Sequence, residues 1–312
     1  VDVDPRSSEF YQNPYKLYAK HSNQPLFYWK QYGMWCATSF ELVNALFRDK
    51  RFGRLLPPEL TPNPTEKTHP SHLSTFRATE KHSLLNLEAP EHTRLRALIN
   101  HAFMNRQVET LRPEIEAFAM QRINSFRDDK QSNLLTSYAM PIPATIIARM
   151  LGVPDTHVQS LLDWSHSMVQ VYTMTQSMEE EHAANQAAIE FTEFLRALIE
   201  ERRQEPEADL LSHLIQAEIN GESLSNEELI STAILLLNAG HEATVHQTGN
   251  AIKCVLQSGI EPELLFSTPL QTRSTIAETM RYDAPLHLFT RYAFEDVSIE
   301  GIELKAGEQI AL

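Results

Sequence analysis

From residue 90 onward, apolar residues recur at intervals of three and four, which is the spacing of amphipathic helices. Ser225 and Glu228 have the spacing of a capping box, which marks the start of a helix. Gly152 followed by Pro154 marks the end of one. These signals predict a helical body with helices over 91–101, 108–126, 146–151, 179–203 and 229–256.

The pattern differs at the two ends of the chain. The elements predicted before residue 90 are helices over 15–21 and 40–48, a hairpin over 26–36, and an irregular proline-rich segment over 55–70. After residue 285, apolar and polar residues alternate around turns at Gly301 and Gly307, which predicts short strands. We therefore expect a mainly α fold with a small β-sheet region, in a single domain over 1–312.

Composition excludes several classes of protein. The 9 glycines in 312 residues are less than half of the usual ~7%, which disfavours glycine-rich phosphate loops and turn-rich barrels. The net charge is −14, from 27 basic and 41 acidic residues, which argues against a nucleic-acid partner. Cys36 and Cys254 lie far apart without a CxxC pattern, so a disulfide framework and a cysteine zinc site are not expected.

The sequence also bears on the compartment. The apolar run over 233–237 has five residues, whereas about 18–20 are needed to cross a bilayer. The first ten residues have no basic segment followed by an apolar one, as a signal peptide would. We therefore expect no membrane partner and a cytoplasmic location.

The middle of the long predicted helix carries candidate chemistry. Gly240 costs roughly 1 kcal/mol relative to alanine there, and Glu242 follows two residues later. This pattern is typical of a groove with an acid at its edge, or of a helix contact that needs a small residue. A zinc site of the HExxH type is excluded, because His241 and His246 are five residues apart and diverge by ~140° around the helix.

Three further groups of charged residues are candidates. Glu278 and Arg281 are three residues apart among apolar neighbours, which predicts a partly buried ion pair. His92 and Arg96 lie on one side of a helix, where they suit a planar or paired anion or form a solvated basic face. Arg291 lies in an alternating strand, where an inward guanidinium requires an anion.

Together, the order and spacing of these motifs resemble the cytochrome P450 superfamily, specifically its soluble bacterial branch. The resemblance covers about residues 10 to 312. It rests on NPYKLY (13–18), RDKRFG (48–53), APEHTRLR (89–96), AGHEAT (239–244), ETMR (278–281) and TRYAFEDVSIEGIELKAGEQI (290–310).

This resemblance implies a haem-dependent monooxygenase that hydroxylates a small, largely apolar substrate. The implied cofactor is haem b, and the implied electron donor is a ferredoxin-type protein or a flavoprotein. The resemblance implies the following roles: His92, Arg96 and Arg291 on the haem propionates; Ala239, Gly240 and Ala243 at the distal face where dioxygen binds; Glu242 and Thr244 in proton delivery; Glu278 and Arg281 as structural residues.

The resemblance also implies which segments line the substrate cavity. They are 55–86, the region 164–178 with Trp164, Met168, Val171, Tyr172 and Met174, and Leu286–His287–Leu288. Methionine and aromatic residues at helical spacing are also typical of ordinary core, so packing is the alternative role.

Two departures from the family pattern stand out. Where the family has a threonine after the helix acid, this chain has Ala243, so proton delivery is expected to use Glu242, ordered water, a substrate hydroxyl or Thr244. The family's haem ligand is a cysteine after ExxR, but neither Cys36 nor Cys254 has FxxGxxxC surroundings. We therefore expect a chain truncated before that cysteine, without a metal ligand of its own. The alternative is a haem-free or inactive helical protein with a ligand-binding or interaction role.

Overall fold

The computed structural model describes residues 1–61, 71–103, 111–172 and 177–312. Helices dominate, as predicted, and the strands are short. The α-helices are α1 (Ser8–Gln12), α2 (Tyr15–His21), α3 (Phe40–Arg48), α4 (Ser74–Lys81), α5 (Glu91–Ala102), α6 (Arg112–Phe126), α7 (Pro141–Met150), α8 (Val158–Val169), α9 (Met178–Gln204), α10 (Leu210–Gln216), α11 (Asn226–Gln257), α12 (Pro262–Leu265) and α13 (Pro269–Tyr282). The strands are β1 (Leu26–Trp29), β2 (Met34–Ala37), β3 (Phe52–Gly53), β4 (Glu218–Ile219), β5 (Glu222–Ser223), β6 (Thr290–Ala293), β7 (Val297–Ile299), β8 (Ile302–Leu304) and β9 (Gln309–Ala311).

The chain divides into two compact units. The strand unit comprises Val1–Thr68, Asn86–Glu88 and Leu286–Leu312, and the helical unit comprises His69–Leu85 and Ala89–Pro285. The single domain over 1–312 stays a prediction.

A five-stranded sheet organises the strand unit. Its strand order is β1-β2-β9-β6-β3, so strands from both ends of the sequence lie side by side. β9 pairs in parallel with β2 and antiparallel with β6. The hairpin β1–β2 was predicted, and Gly33 at its turn has a φ of +65°, which glycine adopts at little cost. Leu46 of α3 packs with Phe52, Ile310 and Val297 in the core of this unit.

The helical unit is built around α11. Ser225 accepts a hydrogen bond from the backbone N–H of Glu228, whose side chain accepts one from the Ser225 N–H. The predicted capping box is thus present at the start of this helix. α9 also begins with a capping box, formed by Ser177 and Glu180. Capping of this kind satisfies N–H groups that the first turn of a helix leaves unpaired.

A buried ion pair joins Arg202 of α9 to Asp209, the residue that precedes α10. Arg202 Nε donates to Asp209 Oδ2 at 2.6 Å, and each side chain is 5% exposed. The Arg202 guanidinium also donates to the carbonyl of Gly152 at 3.0 Å, while Asp209 Oδ1 caps α10 by accepting from Ser212 N at 2.7 Å. Gly152 has a φ of +76°, and a Cβ there would lie 2.1 Å from Asp209 Oδ2. This position therefore requires glycine.

Several predicted boundaries shift. The helix predicted over 146–151 begins at Pro141, because a proline is well tolerated in the first turn. Pro58–Leu60 forms one 3₁₀ turn within the segment predicted to be irregular, and residues 62–70 of that segment lie outside the described residues. The predicted helix over 108–126 is described from Arg112 onward. Within the described ranges, no helix is long and apolar enough to cross a membrane.

Candidate active site

Helix α5 positions His92 and Arg96 one turn apart. Leu95, Leu98 and Ile99 are buried and anchor this helix in the helical unit. Arg96 is exposed and His92 is half-buried, so both present their donor groups away from the core. The predicted arrangement of two donors on one side of a helix is therefore compatible with this structure.

Arg291 lies on β6 in the strand unit and is half-buried. Its guanidinium donates to the backbone carbonyl of Thr290 at 2.8 Å and lies over the ring of Phe47, 5.0 Å from the centroid. Burial lowers the pKa of Arg291, and the nearby charge of Arg54 lowers it further, while Glu88 acts in the opposite direction. An anion beside this guanidinium would raise its pKa and so oppose both effects.

The centre of α11 carries five of the predicted site residues, which follow one another along 239–244. Gly240 and Thr244 line a cavity of about 340 Å³, and Ala243 and Thr244 line a second cavity of about 800 Å³ in the helical unit. Most of the remaining lining is apolar. Glu242 is half-buried, and burial raises the pKa of its carboxyl, although His166 and His246 partly oppose this.

Gly240 has room for a methyl group. A Cβ at this position would lie 3.5 Å from Ile147, which is ordinary van der Waals contact, so helix packing does not require glycine here. By contrast, a Cβ at Gly249 in the same helix would lie 2.8 Å from Leu135 Cδ2.

We therefore expect Gly240→Ala to raise the free energy of unfolding by about 0.5–1 kcal/mol, because alanine restricts the unfolded chain and favours helix. The matched variant Gly249→Ala is expected to gain less or to lose stability, since Leu135 must move. Urea unfolding monitored by circular dichroism measures both. A loss of stability in Gly240→Ala equal to that in Gly249→Ala would contradict the room for a methyl group between Gly240 and Ile147.

The prediction of a partly buried Glu278–Arg281 pair is wrong. The two side chains form an ion pair at 2.6 Å, but they are 59% and 68% exposed. The apolar neighbours that suggested burial are themselves exposed, including Ile276, Met280 and Tyr282, because α13 buries only Thr279 among its residues. Hydrogen bonding with Arg281 lowers the pKa of Glu278.

Neither cysteine has the character of a haem ligand. Burial raises the pKa of Cys36, on β2, to about 12. Burial and the nearby charge of Asp283 raise the pKa of Cys254, near the end of α11. These shifts disfavour the thiolate, the form that binds a metal, relative to an ordinary cysteine, and neither residue has FxxGxxxC surroundings. No group of three or more His, Cys, Asp or Glu residues suited to a metal ion occurs in the described part of the chain.

The segments predicted to line a substrate cavity have different surroundings. His287 and Leu288 line an aromatic cavity of about 490 Å³ in the strand unit, where Tyr18 Oη and His287 Nδ1 are hydrogen-bonded at 3.1 Å. Met168 is 1% exposed, and the Trp164 ring lies tilted against the rings of Phe191 and Phe194, so these side chains pack against other side chains of the helical unit. Met174 lies outside the described residues.

Comparison with known proteins decides the family. The Cytochrome P450 family model matches residues 6–257. The chain belongs to the cytochrome P450 family. The Biotin biosynthesis cytochrome P450 of Bacillus subtilis (strain 168) is 30% identical over 309 residues, which cover 98% of this chain and 76% of that protein. The Mycinamicin IV hydroxylase/epoxidase of Micromonospora griseorubida is 34% identical over 283 residues, which cover 88% of this chain and 66% of that protein.

Solved P450 structures share the fold. P450BioI in complex with an acyl carrier protein ligated to hexadec-9Z-enoic acid superposes with a TM-score of 0.86 at 29% identity, over 97% of this chain and 77% of that one. The P450 PksS of the Bacillus subtilis 168 bacillaene polyketide synthase gives 0.85 at 30% identity, over 99% and 76%. The predicted fold class is confirmed. By family, this P450 is a haem-dependent monooxygenase, an oxidoreductase.

The donor chemistry of this P450 fits one part of the haem and not another. His92, Arg96 and Arg291 carry hydrogen-bond donors suited to carboxylates such as propionates. The pKa of Arg291 is lowered because Glu88 offsets only part of the effect of burial and of the Arg54 charge. The two cysteines do not fit the iron, since neither has FxxGxxxC surroundings and desolvation disfavours the thiolate form of each.

Proposed function

We propose that this chain binds haem b through its propionates and belongs to a monooxygenase acting on a small, largely apolar substrate. The observation that carries the proposal is Arg291, a half-buried guanidinium whose pKa is lowered and whose described hydrogen bond goes to a neighbouring carbonyl. A half-buried cation of this kind gains most from a charge-assisted bond with a carboxylate. His92 and Arg96 are the propionate donors proposed for the helical unit.

The proposed roles on α11 follow from its side chains. Ala239, Gly240 and Ala243 would border the distal face, where small residues leave room for dioxygen, and the haem when bound would supply its activation. Burial raises the pKa of Glu242, so its protonated form is more favoured than that of an exposed carboxyl. Ala243 has no hydroxyl, and the Thr244 carbonyl accepts a hydrogen bond from Thr248 at 2.7 Å. Proton delivery in this chain is therefore proposed to depend on Glu242 and water, with Thr244 as an accessory hydroxyl.

The remaining assignments are part of the same proposal. Glu278 and Arg281 are proposed as structural residues, and neither Cys36 nor Cys254 as the axial ligand. Apolar lining of the cavities beside Ala243, Thr244 and Leu288 supports an apolar substrate. The proposed electron donor is a ferredoxin-type protein or a flavoprotein, and the proposed location is the cytoplasm.

A haem titration tests the proposal. We expect the purified chain to bind haem saturably with one equivalent, as followed by the Soret band. We expect the carbon monoxide difference spectrum to lack the thiolate signature, because neither cysteine has the FxxGxxxC surroundings of the axial ligand. Binding without a defined stoichiometry, or none, would contradict haem binding. It would favour the second candidate function, a haem-free helical protein that binds other ligands. That candidate is supported by the lack of FxxGxxxC surroundings at Cys36 and Cys254.

A further inference from the structure

An aromatic cavity of about 490 Å³ lies within the strand unit. Its aromatic lining includes Tyr15 and Tyr18 from α2, and Phe27 and Trp29 from β1. The ring centroids of Phe27 and Trp29 are 5.9 Å apart, and those of Tyr15 and Tyr18 are 6.0 Å apart. Aromatic rings pack favourably with one another at such separations, and the volume is typical of small-molecule sites. The cavity therefore suits an aromatic molecule of one or two rings.

Most polar groups in the lining of this cavity are neutral and already used within the fold. The described lining residues include no Asp, Glu, Lys or Arg. Ser22 Oγ donates to the carbonyl of Ala19 at 2.9 Å, and Thr38 Oγ1 donates to the carbonyl of Gln24. A charged ligand would lose its hydration here without gaining a salt bridge to a carboxylate, ammonium or guanidinium group. The lining therefore favours a neutral ligand.

Tyr18 and His287 form a hydrogen-bonded pair in the same lining. Tyr18 Oη and His287 Nδ1 are 3.1 Å apart, and the Tyr15 ring lies 5.7 Å from the imidazole. Burial raises the pKa of Tyr18 to about 12, so its hydroxyl keeps its proton. His287 is exposed, and none of the described residues forms a hydrogen bond with its second ring nitrogen, Nε2. This pair therefore has hydrogen-bonding capacity left for a ligand.

The remaining capacity of the pair is the same in both neutral tautomers of the imidazole. If the Tyr18 hydroxyl donates to Nδ1, then Nε2 carries the N–H and the hydroxyl oxygen can still accept. If Nδ1 donates to the hydroxyl oxygen, then Nε2 is an acceptor and the hydroxyl can still donate. In each case one donor and one acceptor remain. A ligand hydroxyl, which both donates and accepts, matches either case.

We propose that this cavity binds a neutral phenol of one or two rings, with its rings among the aromatic side chains and its hydroxyl on the Tyr18–His287 pair. The aromatic walls select the ring system, and the pair selects the hydroxyl. No group of the haem site enters this inference, so it stands independently of the proposed function.

The position of the site can be tested on the chain without haem, with 2-naphthol as the probe. In protein labelled with 5-fluorotryptophan, we expect the ¹⁹F signal of Trp29 to shift saturably with added 2-naphthol. The signal of Trp164, which lies in the helical unit, is expected to stay in place. The variants Trp29→Phe and Trp164→Phe assign the two signals. No saturable shift at Trp29, or equal shifts at both tryptophans, would overturn the site.

Recognition of the hydroxyl has its own measurement, which compares 2-naphthol with naphthalene by calorimetry. We expect Tyr18→Phe and His287→Phe each to lower the affinity for 2-naphthol, relative to that for naphthalene, by about threefold or more, as loss of one hydrogen bond does. The matched control is Tyr28→Phe, which removes an exposed hydroxyl from the other face of β1 and leaves this ratio unchanged. A ratio unchanged in both test variants would overturn the proposal. Because haem is absent throughout, failure here is distinguishable from failure of the haem titration.

Discussion

Replacing Asp209 with alanine is expected to lower the free energy of unfolding by about 3–5 kcal/mol. The variant leaves Arg202, which is 5% exposed, without its closest carboxylate. It also removes the acceptor that caps α10 at Ser212. Arg202 retains contacts with Glu201 and Glu207, but these carboxylates are 63% and 61% exposed and are therefore weaker partners.

Urea unfolding followed by circular dichroism measures this loss of stability. Two further variants serve as comparisons. Asp209→Asn keeps a side-chain oxygen as the cap of α10 and is expected to lose less than the alanine variant. Glu278→Ala removes an exposed ion pair, which solvent screens, and is expected to leave the free energy of unfolding close to that of the wild type. Equal losses in Asp209→Ala and Glu278→Ala would contradict the burial that distinguishes the two pairs.

Loss of the proposed propionate donors is expected to weaken haem binding strongly. A hydrogen bond to a charged group contributes about 1.5–3 kcal/mol, which is roughly 10- to 150-fold in affinity. We therefore expect Arg96→Ala and Arg291→Gln each to weaken haem binding by about tenfold or more, and the combination with His92→Ala to weaken it further. Soret titrations measure the affinities.

The control for this series is Arg127→Ala, which removes an exposed cation that ends α6 and has no proposed role. It is expected to bind haem like the wild type. Equal weakening in Arg127→Ala and Arg96→Ala would mean that net charge, rather than positioned donors, determines the affinity. Melting curves of each variant establish that it remains folded.

Local signals predicted most of the fold. The capping box at Ser225 and Glu228, the turn at Gly33 and the apolar periodicity of the helices depend on residues close in sequence, so the sequence alone determines them. The pairing of β9 between β2 and β6 joins the two ends of the chain. Nothing in the local pattern of either end specifies that register.

Predictions about burial were less successful for the same reason. Apolar neighbours in sequence suggested a buried Glu278–Arg281 pair, yet α13 exposes that side to solvent. Arg202 and Asp209 form the more buried pair, and their spacing of seven residues across a helix end gives no sequence signal. The sequence pattern raised His241 only as a metal ligand with the wrong spacing, and nothing in that pattern indicates that its side chain is buried.

The central claim is that positioned cations in this chain bind the carboxylates of haem. The most direct test compares the affinity of the chain for haem with that for its dimethyl ester, which has the same iron and ring but no free propionates. We predict that wild type binds haem at least about tenfold more tightly than the ester, as one charge-assisted bond requires. We also predict that this preference disappears when His92, Arg96 and Arg291 are all replaced. Equal affinity of the wild-type chain for the two compounds would contradict the claim.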